Sequence, residues 1–421
     1  MTSLYVHVPF CAHKCEYCAF YSEASSGELI NRYVQALVRE MELVAHDLKP
    51  RTVFFGGGTP SILNLRQWET ILRAMERLNL LGAQEWTIES NPATVSFDKA
   101  KLWRDFGVNR VSMGVQSLDE RLLDRLGRIH SREQVFKSFD TLRAAGFDNL
   151  NIDLMFAIPT QAMEVWRATL REAIALGSEH LSCYELIYEE DTPLYAQLKA
   201  GEFDVDEELA CAMYDELIRV AGENGFVQYE IANFARNASL KSKVQSLKSK
   251  VQELRAAPST LDLGLRTLDI PAHACAHNVN YWRGGSFYGL GPSATSYVRG
   301  VRTKNWSNTQ LYCEQLEKGK RAIESSEELS PEARAGETAA FGLRMPIGWR
   351  FDEFQQITGF DLREGWMEEM KRLVNCGWAE MDSDSFRLNA RGLRFADAAA
   401  EEFLRIQLRQ SSAPSLTSAR D

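Results

Sequence analysis

From residue 1 to about 235, short apolar runs alternate with longer amphipathic ones. The segments Leu4–Val8, Thr52–Phe55, Trp86–Glu89, Arg110–Met113, Asn151–Phe156 and Leu181–Leu186 have the composition of buried strands. Between them, Leu29–Leu48, Leu65–Leu78, Phe97–Phe106, Arg132–Ala145 and Met163–Leu176 repeat apolar residues at helical spacing. Strands that alternate with helices predict βαβ units and a parallel sheet. Six units in a row predict an α/β fold, a partial TIM-like (βα)6 barrel over residues 1–236 with its chemistry at the strands' C-terminal ends. Polar and glycine-rich residues do fall just after these strands.

The alternation stops at Asn237. Leu240-Lys-Ser-Lys-Val-Gln-Ser is followed at once by Leu247-Lys-Ser-Lys-Val-Gln-Glu, and two heptads are too few to hold a coiled coil. Residues 237–272 therefore read as a low-complexity surface insertion, and 273–329 as a segment associated with the barrel. From Ser330, helical runs at Pro331–Leu343, Phe351–Thr358 and Leu362–Cys376 precede a short β pair, Trp378–Met381 and Phe386–Leu388, and a helix over Arg391–Leu408. That order predicts a helical, winged-helix-like module over 330–408. Residues 409–421, rich in Ser and Ala, read as a disordered tail.

A chain of 421 residues with 45% hydrophobic content buries a large core. Net charge is −10, from 58 acidic against 48 basic residues, and no long basic run is present. Nucleic acid is thereby excluded as the main partner, and Glu364, Glu368, Glu369, Asp382 and Asp384 argue against DNA binding by the C-terminal module. No apolar run is long enough to span a bilayer and no signal pattern opens the chain, so a cytoplasmic protein is expected. Eight cysteines, three clustered and five scattered, do not form a disulfide framework. Cys183, Cys211, Cys313 and Cys376 read as ordinary buried thiols.

The clustered cysteines lie in Tyr-Val-His-Val-Pro-Phe-Cys11-Ala-His-Lys-Cys15-Glu-Tyr-Cys18-Ala-Phe20, directly after the first strand. A zinc site would lack an obvious fourth ligand, although His13 lies inside the loop. A redox or structural trio would be unusual at this spacing. A 4Fe-4S cube with three protein ligands would leave one iron open. In Phe54-Phe-Gly-Gly-Gly-Thr-Pro60 the glycines let the backbone approach a ligand closely, or simply make a tight turn. Glu89, Gln116, Arg128 and Asp153 fall at or after successive strands, a set suited to an ammonium, a ribose and a carboxylate. His277-Asn-Val-Asn-Tyr281-Trp282 offers an imidazole for heme iron and two aromatics for a flat macrocycle, or else a buried histidine beside core aromatics. His7, in the first strand, is expected to pack near the cysteine loop.

The cysteine spacing, with Tyr17 before the last thiol, resembles the signature of radical S-adenosylmethionine (SAM) enzymes. Together with Phe-Gly-Gly-Gly-Thr-Pro, Ser112-Met-Gly-Val-Gln-Ser, Leu126-Gly-Arg-Ile-His and Asn151-Ile-Asp-Leu-Met-Phe-Ala-Ile-Pro, it resembles the oxygen-independent coproporphyrinogen III oxidase-like family over nearly the whole chain except the insertion. The resemblance implies a radical SAM barrel with a 4Fe-4S cluster on Cys11, Cys15 and Cys18. It implies SAM contacts from Tyr5, Tyr17, Gly57, Gly58, Thr59, Glu89, Gln116, Arg128 and Asp153. Coproporphyrinogen dehydrogenases of the family carry a cysteine two residues after the third ligand, where this chain has Phe20; its His277-Asn-x-x-Tyr-Trp segment resembles the heme chaperone branch. That branch implies heme bound at His277, Tyr281 and Trp282 and passed to an acceptor protein, such as a membrane respiratory enzyme that would bring the chain to the membrane. A one-electron reductant such as a flavodoxin or ferredoxin and a homodimer are further expectations. The alternative is a dehydrogenase that oxidatively decarboxylates porphyrinogen propionates through a 5′-deoxyadenosyl radical. A zinc-stabilised binding protein is a third reading. Ala157 stands where the family usually has glycine.

Overall fold

Period-two alternation decides which side of each strand is wet. In β1 (Thr2–Val8), Leu4, Val6 and Val8 are fully buried, whereas Tyr5 and His7 line a cavity. The same pattern runs through β2 (Thr52–Gly57), β3 (Glu85–Ser90), β4 (Arg110–Gln116), β5 (Leu150–Phe156) and β6 (His180–Glu185). The computed structural model describes residues 2–24, 27–237 and 270–404. Strands β1 to β6 pair in parallel and in chain order, each crossover carrying a helix. Their outer faces pack on those helices around Phe55, Trp68, Trp86 and Trp103. Each such aromatic stabilises the fold by roughly 1.5–3 kcal/mol through burial.

The sheet is larger than six strands. β7 (Phe226–Gln228) and β8 (Asn233–Arg236) extend it beyond β6 in antiparallel fashion. At the other edge β9 (Ser286–Leu290) lies parallel to β1, followed by antiparallel β10 (Thr295–Val298), β11 (Val301–Asn305) and β12 (Ile323–Glu328). The segment 273–329 thus belongs to the sheet itself, in the order β12-β11-β10-β9-β1-β2-β3-β4-β5-β6-β8-β7. Residues of β1 to β6 and β9 line one cavity, so the sheet curves round it as an incomplete barrel.

The C-terminal module has its own core, with Trp349, Phe354, Trp366 and Phe386. Its helices Pro331–Gly342, Phe351–Thr358 and Leu362–Asn375 sit with a three-stranded sheet, the expected pair Ala379–Met381 and Ser385–Leu388 plus an unforeseen strand at Trp349–Arg350. The helix expected over Arg391–Leu408 is two helices, Ala390–Leu393 and Ala396–Leu404, capped at Asn389. Most of the heptad insertion (238–269) and everything from residue 405, including the tail, lie outside the described residues. No helix among the described residues is long and apolar enough to cross a membrane.

Candidate cofactor and ligand site

The loop after β1 is pinned at both ends. Cys11 N–H donates to Glu23 O (3.1 Å) and Glu23 N–H to Pro9 O (2.8 Å), while Phe10 is fully buried edge-on to Tyr33. Its middle is held by Glu16, whose N–H donates to Leu126 O (3.1 Å) and whose carbonyl accepts from Leu194 N–H (3.0 Å). Cys11, Cys15 and Cys18 are half-buried and line a single cavity of about 780 Å³ at the C-terminal ends of the strands. Cys11 Sγ lies 3.5 Å from Thr59 Oγ1, and Arg128 Nη1 donates to Cys15 Sγ at 3.3 Å. Burial pushes the Cys18 thiol above its ordinary range. Among the described residues no three Cys, His, Asp or Glu side chains converge on one ion position. The donor set is soft, aimed at one cavity and free of disulfides, which fits an iron–sulfur cluster.

The glycine run packs under this loop. Gly58 N–H donates to Val8 O and Thr59 N–H to Phe10 O, both at 2.8 Å. A Cβ at Gly58 would lie 2.7 Å from Phe10 O, and one at Gly57, where φ is 104°, would lie 2.5 Å from the His7 ring. These glycines admit neighbouring protein as much as a ligand. Gly57 N–H also donates to Glu89 Oε2 at 3.2 Å.

The strand-end residues come together as the spacing required. Tyr5, Gly57, Gly58, Thr59, Glu89, Gln116, Arg128 and Asp153 line the same cavity as the cysteines, as does Tyr17. Burial, and after it the Asp153 carboxylate, lift the Glu89 pKa to about 8. Asp153 accepts from Asn151 Nδ2 at 2.6 Å and from Ser112 Oγ at 3.3 Å. Gln116 sits at a register shift in β4 with φ of 66°, and its buried Oε1 has no partner. Arg128 donates from Nη2 to Gly114 O, and its Nε is likewise unpartnered. Unmet polar atoms and a strained backbone at one wall mark a place prepared for a polar ligand. Tyr5 OH meets His7 Nδ1 at 3.0 Å, and Tyr17 packs against the Leu122, Leu126, Met155 and Ile158 cluster.

The segment His277–Trp282 runs from the cavity wall to the C-terminal module. His277 is buried with Nδ1 on Thr52 Oγ1 (2.9 Å) and Nε2 on Tyr281 OH (2.8 Å), so it presents no free nitrogen to an iron. Burial, then Arg110, lowers its pKa to about 3. Trp282 turns away from the cavity, beneath the Arg344 guanidinium of the C-terminal module (4.9 Å). Tyr281 does line the cavity. Cys183 and Cys313 are buried as expected, but Cys211 and Cys376 are exposed, one on the outer face of the helix Glu207–Glu223 and one at a helix end.

Sequence reasoning passed over Arg110, Ser112 and Asn151. Arg110 is buried against the cavity, and its Nε lacks a partner. Asn151 joins Asp153, Ser112, His180 and Ser182 in one network. Counting back by twos from Gln116 and Asp153 places all three on the cavity face.

Comparison with known proteins extends this geometry. Residues 5–173 match the Radical SAM superfamily. The chain is 30% identical over 404 residues to the heme chaperone HemW of Lactococcus lactis, covering 96% of this chain and 97% of that protein. It is 33% identical over 301 residues to the heme chaperone HemW of Escherichia coli, covering 70% of each. Among solved structures, coproporphyrinogen III oxidase (HemN) of Escherichia coli superposes with a TM-score of 0.76 at 21% identity, over 96% of this chain and 89% of that one, a likeness of fold.

Proposed function

Because this chain belongs to the radical SAM superfamily and, within it, to the family of the heme chaperone HemW, we propose that it holds a 4Fe-4S cluster and SAM, binds heme and passes it to an acceptor protein. The observation that carries this is near full-length similarity to proteins named for heme chaperoning, joined to one cavity that gathers three thiols and a polar wall. Cys11, Cys15 and Cys18 would hold the cluster. Bound there, the cluster would supply one electron to SAM through its open iron. The chain's own residues do the rest. The carboxylates of Glu89 and Asp153 suit an ammonium and ribose hydroxyls, Arg128 a carboxylate, and the unpartnered Gln116 Oε1 a ligand N–H or O–H. Tyr5 and Tyr17 supply the apolar side of the same wall. The acceptor, such as a membrane respiratory enzyme, a flavodoxin- or ferredoxin-like reductant and a homodimeric state belong to the same proposal.

Heme titration of anaerobically reconstituted protein, followed by Soret absorption, tests it; absence of binding at micromolar protein overturns it. Phe20, in place of the extra cysteine of the dehydrogenases, speaks against porphyrinogen oxidation. Conversion of coproporphyrinogen III by cluster-loaded protein with SAM and a reductant would restore that alternative.

A further inference from the structure

The cavity mouth is apolar where it meets solvent. Phe20 is 70% exposed, Ile187 67% and Ile129 45%, and all three line the cavity that holds the cysteine loop. Leaving large apolar side chains in water round a concavity is unfavourable unless something apolar covers them. They come from separate parts of the chain, the cysteine loop, the segment after Arg128 and the loop after β6, so the patch is assembled by the fold.

Charge and ligand chemistry at the rim narrow the occupant. Lys14, exposed in the cysteine loop, is the lysine lining the cavity, while Glu185 and Glu189 repel anions from their part of the wall. Three histidines line the cavity, and two of them spend both ring nitrogens inside the protein. His7 bonds Tyr5 OH and Tyr21 O, and His277 bonds Thr52 and Tyr281. His13 is exposed beside Lys14 and makes no hydrogen bond among the described residues. An apolar rim, an exposed lysine and an imidazole without a partner among the described residues match a flat macrocycle with carboxylate arms and a metal centre.

We infer that heme seats across the cavity mouth against Phe20 and Ile187, with His13 as its axial ligand and Lys14 facing the propionates, rather than on His277. This rests on the heme-binding reading above. It gives Phe20 a physical role, since the residue that replaces a cysteine supplies apolar surface to the macrocycle.

The test is a heme titration of cluster-loaded full-length protein, read by Soret absorption, on wild type and on Phe20→Ser/Ile187→Ser, Phe20→Leu, His13→Ala and His277→Ala. Iron and sulfide content and the thermal midpoint report whether each variant keeps its fold and cluster. The double serine variant should weaken heme binding about tenfold or more at unchanged cluster content, and Phe20→Leu should stay near wild type. His13→Ala should weaken binding and shift the Soret maximum, and folded His277→Ala should do neither. Wild-type affinity in the double serine variant, a wild-type spectrum in His13→Ala, or loss of heme binding in folded His277→Ala overturns the seat while leaving heme binding itself intact. No Soret change with wild type overturns the reading on which the seat rests.

Discussion

Single residues around the cavity carry strain that the fold tolerates for different reasons. Ala157 follows β5 with φ of 57°, a left-handed conformation in which a Cβ is unfavourable. Ala157→Gly should raise stability by about 0.5–1 kcal/mol, after allowing for the greater freedom of glycine in the unfolded chain, measured by urea unfolding of the apoprotein. Gln116 has the same backbone sign, but its buried amide oxygen faces the cavity without a partner, so its strain is tied to a site. Glu89 stores an electrostatic cost. Its folded pKa of about 8 exceeds the ordinary 4.5, so the folded state holds its proton more tightly than the unfolded chain does. Stability of the apoprotein should therefore fall as pH rises from about 4.5 to about 8. Glu89→Gln should flatten that slope and raise apoprotein stability at pH 8 by about 2 kcal/mol, well below the full shift because Glu89 lines the cavity and is only partly covered. Thermal midpoints across that pH range check it, and an unchanged slope would count against the burial argument.

At the scale of elements, the cysteine loop and the glycine run form one unit. Gly58 hydrogen-bonds Val8 O, and its neighbour Thr59 bonds Phe10 O, so β2 continues as a strap beneath the loop. A methyl at Gly58 would press on two carbonyl oxygens at 2.7 and 2.8 Å, and backbone cannot swing aside as a side chain can. Gly58→Ala should cost about 1–3 kcal/mol and lower the iron retained per chain after reconstitution. Gly222→Ala, in a helix with nothing within 4 Å, should be neutral or stabilising and serves as the control. The six parallel strands and their helices were legible because two-residue and helical periods alternate without interruption. So were the cysteines and strand-end residues, whose spacing places them at one end of the sheet. What was not legible depends on partners distant in sequence. β9 is five residues long, and only its pairing with β1 shows that it belongs to the barrel. His277 reads equally as ligand or core until Thr52 and Tyr281 are seen at its two nitrogens.

Across the whole molecule, barrel and C-terminal module are joined by a reciprocal exchange. Arg283 of the barrel lies 4.4 Å over the Trp349 ring of the module and donates to Gly348 O at 2.8 Å. In return Arg344 of the module lies 4.9 Å over the barrel's Trp282, which also packs against Phe341. Each pair is worth about 0.5–2 kcal/mol, with desolvation favouring the upper end. Trp282 thus acts at the seam between two cores, a role that the heme reading of its motif did not anticipate. Because the module keeps its own apolar cluster, weakening the seam should uncouple the cores before it unfolds either. Trp282→Ala/Arg283→Ala should convert one calorimetric transition into two, the module melting first. Heme affinity at a temperature where both cores remain folded should match wild type. A single cooperative transition at the wild-type midpoint would show that other contacts hold the seam, and a selective loss of heme affinity would return Trp282 to the ligand site.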